Sequence, residues 1–297
     1  MWLGLLVGIA LIATPAPFAM LAPADAGRVV RRIFAVEAPT SLALGVLLLA
    51  VFLFLQARVS KAPLVPLRIF RSRFVAGGNV VMLMMFGALF GSWYFETLYM
   101  QHVLGYSPLR AGLAFLPQTV LIAAGAQVTA RLVPRYGPRP LIVLGTLVAA
   151  AGLGWLAQIS VSSTFVADLL GPYVLIGLGM GLAVTPIAVA GTAGVPREES
   201  GLASGLLNTS RTVGASIGLA ALATIAASRT SGVLASAAAT PTHTADALTQ
   251  GYALAFSIAA GVLVATAMVA VATLPSLRAL SRPAETPASV TPALETS

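Results

Sequence analysis

The chain has 297 residues, of which 58% are hydrophobic and only 9% charged, with a mean hydropathy of +0.93. A soluble domain carries about a quarter charged residues, so this chain cannot clothe itself in a water-facing surface and belongs in a bilayer. The net charge of +8 does not indicate a nucleic-acid binder, because Lys and Arg lie in the short gaps between apolar runs, and the lack of cysteine excludes disulfides and thiolate metal or redox sites.

Eight apolar runs follow one another, at about 1–22, 40–57, 74–101, 111–133, 140–159, 168–194, 202–228 and 251–274. Most reach the roughly 20 residues that a helix rising 1.5 Å per residue needs to cross the hydrocarbon. They must be helices, since lipid offers their backbone groups no partner. Pro117, Pro186 and the glycines of GLGMG (177–181) are tolerated inside a bundle, where neighbouring helices satisfy the freed groups. The expectation is an all-α integral membrane protein with about eight transmembrane helices.

The first run has two readings. It is a span, or, because Ala24-Asp25-Ala26 follows its apolar core, a cleaved signal that lacks the usual basic start. With the segment after the second run on the cytoplasmic side, Arg58, Lys61, Arg68, Arg71, Arg73, Arg131, Arg135, Arg139, Arg197, Arg278 and Arg282 lie inside. Arg28, Arg31, Arg32, Arg110 and Arg229 then lie outside. This asymmetry predicts both termini in the cytoplasm of a multi-pass cell-membrane protein. Residues 229–250, rich in Ser, Thr and Ala, are expected to form the longest outer loop, and the Pro/Ser/Thr-rich residues 275–297 a disordered cytoplasmic tail.

Within the third run, Glu96 is the only acid well inside an apolar stretch. It sits about 22 residues from the inner end, so we read it as an interfacial, solvated carboxylate beside the belt of Trp93, Tyr94 and Tyr99. The alternative is a buried group that carries a proton or binds a cation. In the next span Gln118 and Gln127 could face a cavity, but helix-to-helix hydrogen bonds are the simpler reading.

The seventh run carries Asn208 and Arg211 in its middle, ringed by glycines. Gly201, Gly205, Asn208, Arg211 or Thr212, Ala215 and Gly218 recur at steps of three and four, which predicts one helical face. Gly201/Gly205 and Gly214/Gly218 each form a GxxxG step at which another helix can approach. Arg211 lies about 15 Å from the inner end. Lipid exposure at that depth costs several kcal/mol, so the side chain must point into a bundle or a wet cavity. Two roles stay open: a pathway or gating residue that meets an anion or helix-end carbonyls, and a structural arginine that snorkels to the cytoplasmic interface.

An enzyme reading has little to work with. GASIG (214–218) fits G-x-S-x-G around Ser216, but that motif has meaning at a strand-to-helix turn and here falls mid-span. The two histidines, His102 and His243, lie in or beside outer loops.

The order of short motifs is itself informative. APLVPLRIFRSRF (62–74) precedes YFETLYMQHVLGYSPLRAGLAFLP (94–117), followed by RLVPRYGPRP (131–140), GPYVLIGLGMGLAVTP (171–186) and VPREESGLASGLLNTSRTVGASIGLA (195–220). This series resembles the C-terminal part of the 14-span drug:proton antiporters of the major facilitator superfamily, over about residues 62–228. RLVPRYGPRP is similar to the superfamily's loop motif, with Arg135, Gly137 and Arg139 kept and Pro134 where an acid usually stands. The resemblance implies that residues 1–61 are two central inserted helices with an outer loop, and that residues 62–274 are the C-terminal six-helix transporter bundle. It also implies export of amphipathic small molecules in exchange for protons, with no cofactor and no enzyme activity, and makes Arg211 and Asn208 the family's polar positions in their span. The partners implied are the lipid bilayer, a small-molecule substrate, protons and a missing N-terminal half, which carries the acids usually assigned to proton coupling. On that reading the chain is a truncated product, or a half that pairs with another chain.

Overall fold

A computed structural model describes residues 67–193, 195–235 and 240–274, together with the helical positions Gly45, Leu47, Ala50, Val51, Phe52 and Phe54. The first apolar run, most of the second, the cluster Arg28, Arg31 and Arg32, the signal-like Ala24-Asp25-Ala26 and the tail 275–297 lie outside the described residues. By its internal contacts the chain divides into Met1–Pro66 and Leu67–Ser297. The second unit is described here.

It is all helical. After a 3-10 turn at Leu67–Arg71 come α1 (Arg73–Leu98), α2 (Pro108–Ala114), α3 (Leu116–Tyr136), α4 (Pro138–Leu156), α5 (Leu170–Thr192), α6 (Ser200–Leu234) and α7 (Pro241–Thr273). A π-helical turn, Tyr99–Val103, extends α1, and a second, Phe165–Leu169, leads into α5. Six of the described helical stretches are long and apolar enough to cross a membrane: Arg73–Val103, Pro108–Tyr136, Pro138–Leu156, Phe165–Thr192, Ser200–Leu234 and Thr242–Thr273. They coincide with the last six runs of the sequence.

Helix ends are set locally. Ser107 caps α2 by accepting from the Arg110 amide at 3.3 Å, with Pro108 at the first helical position. Thr240 does the same for α7 through His243 N at 3.2 Å, ahead of Pro241. Between α3 and α4 the chain reverses through the single residue Gly137, at φ 80° and ψ 167°, a conformation open essentially only to glycine.

One loop expectation is overturned. Residues 229–234 continue α6 and 241–250 open α7, so 229–250 is not a long outer loop. Ala, Ser and Thr look loop-like in composition, but Ala is the best helix former, and the capping Thr240-Pro241 pair restarts the helix.

α1 and α5 are the most buried spans, whereas α3 and α6 are the least. α5 lies against α3 and α4, α1 against α6 and α7, and α7 also against α4. Large side chains such as Met85, Leu89, Phe95, Tyr173 and Phe256 fill the middle. Lipid tails are as apolar as these side chains, so close backbone approach at small residues holds such helices together. A Cβ on Gly145 would meet the Gly179 carbonyl oxygen at 2.5 Å, and one on Gly125 would meet Gly181 Cα at 3.0 Å.

Several contacts identify the two ends. The Arg68 guanidinium pairs with Glu199, and an Arg73 side-chain N–H donates to the Ala272 carbonyl at 3.1 Å. The starts of α1 and α6 and the end of α7 therefore share one end. Helix alternation adds the α3–α4 turn, so Arg68, Arg71, Arg73, Arg131, Arg135, Arg139 and Arg197 all belong to that end, leaving Arg110 and Arg229 at the other.

Candidate functional site

Arg211 lies eleven residues into α6, about 16 Å along the helix. It borders an open cleft of about 440 Å³ between α1, α5 and α6, whose walls include Met82, Val184, Thr192, Ser204 and Asn208. Its guanidinium carbon stands 5.6 Å from the centre of the Phe86 ring, within cation–π range. Asn208 is exposed one turn below. Its carbonyl accepts from the Thr212 hydroxyl at 3.0 Å, which leaves the carboxamide at the cleft wall. The cleft thus joins an apolar wall from α1 and α5 to a cationic and amide-bearing wall from α6. Its volume lies in the range that holds drug-sized molecules.

The predicted single face of α6 is not what forms. Gly201 and Gly205 have open space where a Cβ would stand, so they hold no neighbouring helix in this bundle. A Cβ on Gly214 would run into the Leu83 carbonyl, and one on Gly218 into the Gly87 carbonyl. A step of three residues falls about 60° short of a full turn. A series built mainly from threes therefore drifts round the helix, and Gly205 and Gly214 end about 180° apart. The second GxxxG step makes the α1–α6 crossing, whereas the first turns away beside the polar cleft residues.

Two hydrogen bonds near the crossing were not anticipated from the sequence. Ser210 donates to Asn79 Oδ1 at 2.7 Å, while Asn79 Nδ2 donates to the Val75 carbonyl at 2.8 Å. Asn79 is buried, and this pair is a polar bond between α1 and α6. The available signal was an amide within an apolar run, beside Gly77 and Gly78.

Gln118 is buried, but its Nε2 has no hydrogen-bond partner, so the expected helix-to-helix bond is not made. The backbone of α3 at Gln118 lies against Gly177 of α5. Gln127 is exposed on the outer face of α3 and joins no other helix. In the loop motif, Arg135 is exposed on the last turn of α3, Arg139 is half-buried on the first turn of α4, and Gly137 makes the reversal between them. Pro134 lies within the last turn of α3.

Glu96 requires the largest correction. It is 1% exposed, and neither carboxyl oxygen has a hydrogen-bond partner, so it is not a solvated interfacial group. The end of α1 is covered by α5 and α7: Phe95 lies 5.6 Å from the Tyr252 ring, and Tyr173 of α5 presents its hydroxyl to this region. Counting residues along α1 located its depth, but the neighbours that cover it could not be counted. Ser216, the centre of the G-x-S-x-G match, is mid-helix, and its hydroxyl donates to the Thr212 carbonyl at 3.0 Å.

The family model for the Major Facilitator Superfamily matches residues 2–219. The chain belongs to this superfamily. The match includes the first two apolar runs as well as the bundle from α1 to the middle of α6. Among curated relatives, the superfamily chain is 42% identical over 192 residues to the cephamycin export protein CmcT of Amycolatopsis lactamdurans, covering 64% of this chain and 40% of the relative. It is 38% identical over 232 residues to the puromycin resistance protein pur8 of Streptomyces alboniger, covering 77% of this chain and 46% of the relative. It is 35% identical over 192 residues to the tetracenomycin C resistance and export protein of Streptomyces glaucescens, covering 63% and 35%. The chain spans less than half the length of these superfamily relatives. It is a multi-pass membrane protein of a transporter family, and the relatives named are antibiotic resistance and export proteins.

Proposed function

We propose that the chain supplies the C-terminal part of a 14-span exporter of drugs or other amphipathic small molecules, driven by exchange for protons across the cell membrane. Residues 1–61 would be the inserted helix pair, 62–274 the six-helix bundle and 275–297 a cytoplasmic tail. The observation that carries this reading is the cleft at Arg211. A cation, an amide and the Ser204 hydroxyl on the least buried span face a largely apolar wall in a space large enough for a small molecule. Facing lipid, Arg211 would cost several kcal/mol; facing the remaining half of an exporter across a wet cavity, it is in place to hold an anionic group or helix-end carbonyls. Alternating access follows from two bundles rocking about such a midplane site. The family membership and the names of the relatives support export over other solutes. The excess of arginines at the end bearing Arg68 and Arg135 supports placing that end, and both termini, in the cytoplasm.

The test is efflux from cells carrying the complete exporter. A protonophore should abolish the efflux of a fluorescent drug while ATP is maintained. Unchanged efflux would eliminate proton exchange as the driving reaction and leave a facilitator of another kind.

A further inference from the structure

The outer end of the bundle holds a group of polar side chains that the cleft does not use. Glu96 is fully covered and unpaired; the described residues contain no cation bonded to it. An isolated carboxylate there would lack both water and a counter-charge, which a low-dielectric site does not tolerate. The groups facing it from each neighbouring element are phenols and a hydroxyl. Tyr173 of α5 and Ser92 of α1 are its polar neighbours, and Tyr252 of α7 lies beyond Phe95. Ser92 is already committed to the Leu89 carbonyl at 2.8 Å. The Tyr173 hydroxyl donates to Met100 Sδ at 3.8 Å, on the π-helical turn next to Tyr99.

Tyr99 leads outward. The π-helical turn that begins at this residue ends α1, and its hydroxyl donates to the Ser160 carbonyl at 2.5 Å. Ser160 belongs to a turn of linked hydroxyls: its amide donates to Ser163 Oγ at 3.0 Å, and its Oγ lies 3.1 Å from that of Ser162 and 3.3 Å from that of Ser163. Ser162 and Ser163 in turn line an open cavity of about 610 Å³ at the outer end, with Tyr106, Arg110 and Thr164. Asp168, on the π-helical turn that opens α5, accepts from the Thr164 amide at 2.7 Å. Phenol and serine hydroxyls thus lie between the open outer cavity and the buried carboxyl, and both π turns, a feature frequent at functional sites, flank them.

We propose that Glu96 is a proton-binding site reached from the outer side, with Tyr173, Tyr99 and the 160–163 serine turn as the path between it and the outer cavity. The step is a simple exchange: water in the cavity delivers a proton to the Glu96 carboxylate, forming the neutral acid, and the reverse step returns it. No other co-reactant is needed. The site rests on the exporter reading for its purpose, since it would take up the external proton that drives exchange. Its existence can be tested without transport.

The experiment is infrared difference spectroscopy on the full chain in lipid nanodiscs. A neutral carboxylic C=O band that shifts in heavy water should be present at about pH 6 and bleach as the pH rises towards about 10, the span in which buried carboxyls titrate. Glu96→Gln should remove the band, whereas Glu96→Asp, which also checks folding, should keep it at a shifted frequency. Tyr99→Phe should keep the band but slow its exchange with heavy water by about tenfold or more, the scale of one lost proton-relay group. Absence of the band, its survival in Glu96→Gln, or a band that never bleaches would overturn the site. Unaltered exchange in Tyr99→Phe would overturn the path, and a carboxylate signal that arises only on adding tetraphenylphosphonium would reassign Glu96 to binding organic cations. An intact band combined with efflux that ignores the proton gradient would instead remove the exporter reading and leave the site standing.

Discussion

At the scale of single residues, the informative side chains are the polar ones inside apolar helices, because each must find a compensating environment. Arg211 finds an open cleft and the face of Phe86. Asn79 finds Ser210, Gln118 leaves a donor unused, and Glu96 leaves two acceptors unused. Arg211, Gln118 and Glu96 stood out in the sequence and Asn79 did not, and the environment of each was decided by neighbouring helices. On the export function proposed above, Arg211→Leu in the full-length protein should insert and fold normally, since the cation sits at the cleft wall and holds no buried partner, yet it should lose at least about tenfold in drug efflux, the equivalent of one lost charged contact. Unchanged resistance at normal expression would return Arg211 to a structural, snorkelling role.

At the scale of helices, the α1–α6 crossing shows how a short motif acts only in its packing register. Gly214 and Gly218 allow the α1 backbone at Leu83 and Gly87 to approach, while Gly201 and Gly205, identical in pattern, touch nothing. Gly218→Leu should therefore lower the thermal midpoint of the purified protein markedly, because overpacking a tight crossing costs about 1–3 kcal/mol. Gly205→Leu should leave it nearly unchanged. Equal shifts in a scanning fluorescence melt would contradict the crossing. Glycine spacing in the sequence marked both steps as possible contacts, and nothing local distinguished them. The choice depends on which side of a helix meets a partner 131 residues away in the chain.

At the scale of the molecule, the six spans among the described residues alternate between an arginine-rich end and an arginine-poor one. The chain has no cysteine, so single-cysteine variants report orientation without background. In intact cells Val166→Cys, strongly exposed at the arginine-poor end, should react with an impermeant maleimide if that end faces outward as proposed. Arg135→Cys should react only after permeabilisation. The reverse pattern would invert the bundle and place the serine turn and its cavity in the cytoplasm. The same distribution explains why the least buried spans, α3 and α6, carry exposed polar groups such as Gln127, Asn208 and Arg211.

The sequence by itself determined that the chain lies in a bilayer, that its spans are helices and roughly where the last six begin and end. Length, hydropathy and the satisfaction of backbone groups are local properties, readable along one strand of text. It also carried the loop motif around Gly137 as a resemblance, while the reversal through that one residue came from the structure. The tertiary structure alone decided that Glu96 is covered rather than wet, which GxxxG step makes a contact, and that Arg211 borders a cleft. Burial and helix facing are decided by segments far apart in the chain, whose relative rotation no pattern within one helix encodes.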